Sequence, residues 1–550
     1  MRNSNDILND GVADNNPSLY AEVITTRPPK KDKRKKLKKK HKRRKQSSLC
    51  DYVKGDDEYY LFKNELNSLK RTGDNPPIEL RVFPDSDVGI YIGNHGAFSY
   101  ALLTSNEGHV CVIGSTGSGK SDCIVKHTIV KRSNPAFITD YKGELILLKT
   151  INPRKILYFT DEEGEDSVTF DLFDCLRSGG NRNVVSNARA IAEAIIPLLS
   201  ETDKAFWTMA ERDILTAAIV YYYDLKASFI DAMIAIKNST TRELVSDILG
   251  SNNERAKMCI TPCLADEKSG AEMLSGIEEG VGHHISIFAS EEIIKRVFTP
   301  SEKTLGMSDL NTHDVFLRMP LERAKQWGAV TRLILTMQIQ ALMKRPDKHS
   351  NEGKQCRNVL LLLDEFPCIG KLEFIIDALE TLRSKNVTIA LFCQSLADLD
   401  DIYGANKRRR ILDNCEFKVL LKTTDPETQV FFSDLVGTTE TAIRGVSESY
   451  DCETGNTSYS RQVSEGRKRV MEPHEFLTSN KIVFVNRYTG FCLLEKDFYH
   501  LKNTPEQERV ASKKHFSLPS SFWDSPKLTV RDSSSEGKPF ALPTGYWNQN

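Results

Sequence analysis

The sequence contains no apolar run long enough to cross a membrane. Its longest apolar stretches, such as residues 214–223 and 359–363, fall well short of the roughly 18–20 residues that a membrane-spanning helix requires. The N-terminus also lacks the apolar segment of a secretory signal peptide. We therefore expect a cytoplasmic protein without transmembrane helices.

The cysteines show neither a disulfide framework nor a complete zinc pattern. Twelve cysteines are scattered from Cys50 to Cys492 without paired spacing. Cys259 and Cys263 could form half of a metal site, but no second Cys or His pair follows at zinc-ligand spacing. The pattern favours ordinary thiols in a reducing cytosol.

The chain has no net charge, with 75 basic and 75 acidic residues, but the charges are unevenly placed. Residues 30–45 contain thirteen Lys or Arg and one Asp, so the other residues carry about twelve excess negative charges. Such a run cannot fold alone because its charges repel. We expect residues 1–50 to form a disordered polybasic tail that contacts nucleic-acid phosphates or an anionic membrane surface, or that does neither.

A glycine-rich octapeptide follows the short apolar run 110–113. It consists of Gly114, Ser115, Thr116, Gly117, Ser118, Gly119, Lys120 and Ser121. The glycines let backbone N–H groups point at phosphate oxygens, and the positive end of a following helix adds to this attraction. Lys120 is expected to reach the β- and γ-phosphates, and Ser121 to hold Mg²⁺. The motif predicts a P-loop that binds ATP with Mg²⁺.

A second motif lies far downstream, where two acidic residues follow the apolar run 359–363. In this Walker B arrangement Asp364 would bind Mg²⁺, and Glu365 would polarise the water that attacks the γ-phosphate. The alternative is a core strand that ends in an acidic turn. Together with the P-loop, the motif favours hydrolysis over mere binding.

Apolar runs alternate with helical patterns along most of the chain, which predicts an α/β fold with a mainly parallel sheet. The seven runs are residues 110–113, 136–139, 155–159, 315–319, 359–363, 387–393 and 417–421. Helical periodicity dominates residues 181–299, which we interpret as an inserted all-helical domain. Residues 51–180 and 300–502 then form the nucleotide-binding domain, with a hairpin at 482–494, and 503–550 an extended tail.

Several motifs in a fixed order resemble the coupling ATPases of type IV secretion and bacterial conjugation, the TraG-type coupling proteins. The matching segments are residues 114–121, 140–144, 206–207, 364–371, 394–396, 401–404, 414–415 and 425–428. The resemblance implies a RecA-like motor that assembles as a homo-hexamer with nucleotide between subunits. It also implies that the ring passes a relaxase-bound DNA strand, or a protein substrate, to the channel of a type IV secretion system.

The resemblance assigns two further site residues. Arg383 matches an arginine that reaches the neighbouring subunit's nucleotide, where a guanidinium stabilises charge on the γ-phosphoryl oxygens; the alternative is an ordinary exposed helix arginine. Gln394 matches a polar residue that senses the γ-phosphate, and the alternative is a strand cap. The resemblance thus gives Lys120, Glu365, Arg383 and Gln394 as catalytic residues.

Other features leave their roles open. Asp140, Lys142 and Glu144 match the family, and we expect them to support the nucleotide site from a strand end. The basic cluster 407–410 either contacts phosphate in a ring channel or forms a solvated helix face.

Family members usually begin with transmembrane helices. In this sequence the polybasic tail takes their place. The chain is therefore either recruited to the cytoplasmic face of the inner membrane by residues 30–45 or a membrane partner, or acts as a soluble motor. A DNA-packaging motor and an effector adaptor with ATP-controlled assembly are the alternative functions.

Overall fold

The computed structural model describes residues 80–83, 86–177, 183–198, 205–260, 271–450, 457–486 and 490–500. The predicted tails, residues 1–50 and 503–550, lie outside the described residues.

Eleven of the described strands form one sheet. The thirteen strands of the described residues, of which β10 and β11 form a separate sheet, are β1 (Val88–His95), β2 (Phe98–Leu103), β3 (Val110–Ile113), β4 (Ala136–Asp140), β5 (Arg154–Tyr158), β6 (Asp314–Arg318), β7 (Val359–Leu363), β8 (Val387–Cys393), β9 (Phe417–Leu420), β10 (Thr438–Tyr450), β11 (Thr457–Arg469), β12 (Lys481–Asn486) and β13 (Gly490–Glu495). The order in the large sheet is β2-β1-β13-β12-β9-β3-β8-β7-β4-β6-β5. The seven strands from β9 to β5 pair in parallel, and β12, β13, β1 and β2 add antiparallel pairs at one end.

Helices cover the sheet and form a large insertion. They are α1 (Lys126–Lys131), α2 (Leu172–Arg177), α3 (Val184–Ile195), α4 (Ala205–Asp224), α5 (Phe229–Asn238), α6 (Thr241–Gly250), α7 (Glu254–Lys257), α8 (Ala271–Ser290), α9 (Glu292–Phe298), α10 (Gly328–Met343), α11 (Ile375–Leu382), α12 (Leu396–Asn414), α13 (Pro426–Val436) and α14 (Glu475–Thr478). A wider helical turn, Ser121–Val125, leads from the P-loop into α1.

The central strands are buried on both faces. All five residues of β7 are apolar and buried. Leu361 and Leu363 pack into one apolar layer, whereas Leu360 and Leu362 pack into the other. Parallel strands need apolar residues on both faces because helices cover both sides of the sheet. Successive residues of the strand therefore pack into the apolar layers on opposite faces of the sheet.

The described residues between β5 and β6 contain helices α2 to α9 and no named strand. Their apolar side chains belong to the same core as one face of the sheet, so the insertion packs directly onto the sheet. Local caps fix its helix ends. Thr240 and Glu243 form a reciprocal capping box at the start of α6, and Ser228 caps α5 by accepting a hydrogen bond from the backbone N–H of Asp231.

The structure confirms the seven predicted parallel strands and the predicted α/β class. The predicted hairpin is confirmed by the antiparallel pairing of β12 with β13. The sequence patterns did not predict β1 and β2, nor the separate two-stranded sheet of β10 and β11. Residues 440–467, most of that small sheet, belong to a second compact unit. Among the described helices, none has the length and apolar character needed to span a bilayer.

Candidate nucleotide-binding and hydrolysis site

The P-loop leaves the carboxyl end of β3, the strand between β8 and β9. Hydrogen bonds to the ends of both neighbouring strands hold it there. The N–H of Gly114 donates to the carbonyl of Cys393 at 3.2 Å, and the N–H of Ser115 donates to the carbonyl of Lys422 at 2.7 Å. Gly119 has a φ of 97°, a conformation that only glycine adopts readily. The strand ends therefore set the loop's position.

The side chain of Lys120 folds back into this loop. Its ammonium donates a hydrogen bond to the carbonyl of Gly114, and the residue is only 6% exposed. Burial lowers the pKa of Lys120, while the charges of Glu365 and Asp364 oppose that change. Ser118 Oγ, within the loop, is also buried and has no hydrogen-bond partner in the protein. These polar atoms suit a phosphate ligand in the loop.

Ser121 and Asp364, the two residues expected to hold Mg²⁺, contact each other. Ser121 Oγ donates to Asp364 Oδ2 at 3.1 Å, while Asp364 Oδ1 is buried without a hydrogen-bond partner. Burial, with the charge of Glu365, raises the pKa of Asp364 to about 6. The described residues contain no group of three or more metal-ligating side chains. Mg²⁺ needs no such group, because one or two protein oxygens, phosphates and water complete its shell. The residues present therefore fit Mg²⁺.

Glu365 follows Asp364 and has a left-handed backbone conformation, with φ 52° and ψ 48°. For a residue other than glycine this backbone conformation is strained and is often found at functional sites. Glu365 Oε1 lies 3.2 Å from the ammonium of Lys142. Burial lowers the pKa of Lys142, but the charges of Glu365 and Asp364 outweigh this effect and raise it. Lys142 thus holds the proposed catalytic carboxylate by an ion pair.

The loop after β4 explains why Lys142 reaches Glu365. Asp140 Oδ1 accepts from the N–H groups of Lys142 at 3.2 Å and Gly143 at 2.7 Å. Its Oδ2 accepts from two further N–H groups, those of Leu145 and Ile146. One buried carboxylate therefore shapes the whole turn.

Glu144 connects the same loop to the helix that follows the P-loop. Its Oε2 lies 2.8 Å from the ammonium of Lys126 in α1. Gly143, next to it, has a φ of 75°, and a Cβ built there would lie 2.9 Å from the guanidinium of Arg318. The sequence predicted support from this motif but not these hydrogen bonds, which depend on the packing of β4 between β6 and β7.

Gln394 follows β8 and reaches the tip of the P-loop. Thr116 Oγ1 donates to Gln394 Oε1 at 3.0 Å. The backbone N–H of Gln394 donates to Asp398, which belongs to the capping box of α12. The structure thus brings Gln394 together with the P-loop, as the sequence suggested, and its γ-phosphate role stays a prediction.

Arg383 lies at the opposite, amino edge of the sheet. The turn Arg383–Lys385 precedes β8, and Gln394 follows that strand. Seven strand residues at about 3.3 Å each separate the two edges by roughly 23 Å. Arg383 therefore does not join the P-loop of its own chain, and its action on a neighbour stays a prediction.

A cleft of about 480 Å³ surrounds Arg383 at that edge. Glu107 lies between two cations there, with Lys348 Nζ at 2.7 Å and Arg383 Nη2 at 3.7 Å. The Lys348 side chain is 14% exposed, whereas that of Arg383 is 44% exposed. Glu107 therefore pairs with the accessible guanidinium of Arg383 in a cleft whose lining contains more basic than acidic side chains.

The basic cluster 407–410 engages acidic neighbours on the surface. Arg408 Nη1 lies 3.1 Å from Asp400 and pairs also with Glu427, and Arg410 lies 3.1 Å from Glu380. These ion pairs fit the solvated helix face better than a phosphate-binding surface.

A segment that the sequence did not single out also lies against the P-loop. After β13, residues 496–500 reach the helical turn Ser121–Val125. A Cβ built on Gly119 would lie 3.1 Å from Phe498 Cε1, and His500 Nδ1 hydrogen-bonds Asp122. Nothing in the local sequence signals this contact, because the sheet order brings the two segments together.

Comparison with known proteins agrees with this arrangement. Residues 63–515 match the family described as type IV secretory system conjugative DNA transfer. The conjugal transfer protein TraG of Escherichia coli is 23% identical over 427 residues, which span 72% of this chain and 66% of TraG. VirD4 of Rhizobium radiobacter is 24% identical over 409 residues, which span 69% of this chain and 54% of VirD4. The chain thus matches about half to two thirds of each relative's length.

Solved structures of the bacterial conjugative coupling protein TrwB share the fold. The unbound form superposes with a TM-score of 0.54 at 18% identity and covers 71% of this chain and 84% of TrwB. TrwB in complex with ADP and Mg²⁺ gives the same TM-score and identity, covering 71% of this chain and 85% of TrwB. This likeness confirms a RecA-like P-loop fold with an inserted helical domain.

Proposed function

We propose that this chain, which belongs to the type IV secretory system conjugative DNA transfer family, is a coupling protein that hydrolyses ATP to drive DNA into a secretion channel. The observation that carries the proposal is the cluster of Lys120, Ser121, Asp364 and Glu365 at one sheet edge. This cluster combines a phosphate-binding loop, two residues suited to bind Mg²⁺ and a carboxylate held by an ion pair.

Each side chain has a distinct role in this proposal. Lys120 neutralises charge on the β- and γ-phosphates, and Ser121 and Asp364 would hold Mg²⁺. When bound, the ion stabilises charge that develops on the phosphate oxygens. Glu365 accepts a proton from the attacking water, and the ion pair with Lys142 orients its carboxylate. Gln394, which already meets the tip of the loop, contacts the γ-phosphate.

The proposal includes a ring, because Arg383 lies at the wrong edge to serve its own chain. In a homo-hexamer with nucleotide between subunits, the amino edge of one copy faces the carboxyl edge of the next. Arg383 then stabilises the charge on the neighbour's γ-phosphoryl group. The exposure of Arg383 and its place in an open cleft support this role.

We propose a relaxase-bound single strand as the main cargo and components of a type IV secretion channel as partners. The family description, conjugative DNA transfer, supports DNA over a purely protein cargo. The polybasic segment 30–45 would contact the cytoplasmic face of the inner membrane through its charge.

The test is steady-state ATP hydrolysis by the purified chain, with and without single- and double-stranded DNA. Lys120→Ala and Glu365→Gln should lose hydrolysis, and the exposed Glu322→Gln serves as the matched control. DNA should bind at physiological salt and raise turnover. If neither form of DNA binds or changes turnover while hydrolysis is intact, the DNA-motor proposal is wrong and an adaptor role replaces it.

A further inference from the structure

Two aromatic residues after β13 form a pair beside the P-loop. The rings of Phe498 and His500 lie 5.7 Å apart, inclined at 63°. Phe498 contacts the position of Gly119, directly before Lys120, and His500 hydrogen-bonds Asp122, directly after Ser121. The aromatic pair therefore flanks the part of the loop where a bound nucleotide's α-phosphate lies.

The order of the strands places this pair on one side of the phosphates. The γ-phosphate end of the site is marked by Asp364 and Glu365 after β7 and by Gln394 after β8, all on one side of β3. Strands β9, β12 and β13 lie on the other side of β3. A nucleotide whose γ-phosphate points to Asp364 extends its ribose and base away from β7. Its base then approaches the segment that follows β13.

Two hydrogen bonds and a ring contact hold the backbone around Phe498. Tyr91 donates its hydroxyl hydrogen to Asp497 Oδ2 at 2.8 Å, and His127 Nε2 donates to the carbonyl of Asp497 at 3.0 Å. The ring of His127 also meets Tyr499 edge-on at 5.3 Å. Phe498 is half-buried against the apolar core, so the residue is not fully enclosed. A ring held in this way is a preorganised surface for stacking.

We propose that Phe498, with His500 beside it, is the platform on which the nucleotide's base stacks. The inference rests on the proposed function, since it requires a nucleotide in the P-loop. The ligand class is a purine nucleoside triphosphate. A phenyl ring offers a face and no hydrogen-bonding group, so it stacks on adenine and guanine alike. The platform thus contributes affinity for the base and does not select ATP over GTP.

The experiment compares ligands that share the phosphates and differ in the base. Equilibrium binding of ATP, GTP and inorganic tripolyphosphate is measured by calorimetry for the wild type, Phe498→Ala, Phe498→Leu and Phe498→Tyr. Loss of the ring should weaken ATP and GTP by about tenfold or more, as for other base–aromatic stacks, and leave tripolyphosphate unchanged. Phe498→Tyr should bind all three like the wild type. Equal weakening of all three ligands, or of none, would overturn the proposal.

Two controls keep this test separate from the proposed function and from misfolding. Lys120→Ala should lose all three ligands; if the wild type itself binds neither ATP nor tripolyphosphate, the P-loop assignment fails and the platform with it. If Phe498→Ala does not fold, a Phe498→Trp variant serves instead. Its indole fluorescence should change on addition of ATP but not of tripolyphosphate, and the same response to both ligands contradicts stacking.

Discussion

The two edges of the central sheet are built for different tasks. The carboxyl edge gathers Lys120, Ser121, Asp364 and Glu365 into one compact site. The amino edge carries an open cleft in which Glu107 holds Arg383 without any phosphate-binding loop. The strands between them are buried on both faces and closely packed, so they do not bend to bring the edges together. In the proposed ring, each chain would supply two halves of a site that meet only across a subunit interface.

The largest expected effect comes from removing Arg383, the residue that the amino edge would contribute to the site. Arg383→Ala should reduce ATP hydrolysis by about 10³-fold or more, the range of arginine fingers, while ATP affinity changes little. Arg383→Lys should not restore activity, because an ammonium lacks the planar fork of the guanidinium. Turnover and nucleotide binding are measured together, with the exposed Arg409→Ala as the matched control. Normal turnover in Arg383→Ala would remove the amino edge from the mechanism.

The next largest effect should come from removing the general base, Glu365, at the carboxyl edge. Glu365→Gln keeps the shape of the side chain but cannot accept a proton, so hydrolysis should fall by about 10²- to 10⁴-fold. Binding of ATP with Mg²⁺ should persist, since Ser121 and Asp364 are unchanged. Single-turnover hydrolysis and calorimetric binding distinguish the two steps. A variant that loses binding as well would show that Glu365 holds the nucleotide or metal instead.

A third prediction concerns acid stability at the amino edge. His109 Nε2 donates to the carbonyl of Leu379 in α11, and its Nδ1 accepts from the N–H of Ile389 in β8. Burial lowers the pKa of His109 to about 4. The folded state therefore favours neutral His109, and this stability is present above pH 6.5 and lost as the pH falls from 6.5 to 4.

The loss attributable to His109 should reach about 3 kcal/mol in the free energy of unfolding. Urea unfolding at a series of pH values measures it. His109→Gln, which does not titrate, should lose less stability between pH 6.5 and pH 4, by about that amount. Because α11 leads into Arg383, acid should loosen the amino edge first. Identical pH profiles for the two proteins would place the titrating group elsewhere.

The smallest expected effect comes from a variant that frees the carboxylate of Glu365 from its ion pair but leaves the carboxylate in place. Lys142→Met breaks the ion pair with Glu365 and should lower turnover by about tenfold, the value of one charged hydrogen bond. Affinity for ATP should stay within twofold, or about 0.4 kcal/mol. Lys149→Met, exposed in the same connection, is the control. A drop in affinity with unchanged turnover would assign Lys142 to phosphate binding.

The same two edges show what the sequence could predict. Strands β3, β7 and β8 were predicted at their observed bounds, because buried parallel strands read as continuous apolar runs. The P-loop and the Asp364–Glu365 pair were recognisable because their residue types and their place after such runs are both restrictive.

Other contacts could not be predicted because they depend on tertiary pairing. Asp140 binds four N–H groups of one turn, whereas the sequence predicted a supporting role for it without indicating these partners. Phe498 meets Gly119 only because β13 lies on the β9 side of the sheet. Strands β10 and β11 escaped detection since their sequences are polar and lack a clear alternation. For Arg383 the proposed partner is a second chain.

The most direct test of the account mixes two inactive variants. Lys120→Ala lacks the carboxyl-edge half and Arg383→Ala lacks the amino-edge half, and each alone should hydrolyse almost no ATP. In randomly mixed equimolar rings, about a quarter of the head-to-tail interfaces combine one intact half from each variant. Hydrolysis should then recover towards that fraction of wild-type turnover. Absence of recovery, with subunit mixing verified by energy transfer between labelled copies, would contradict a site shared between subunits.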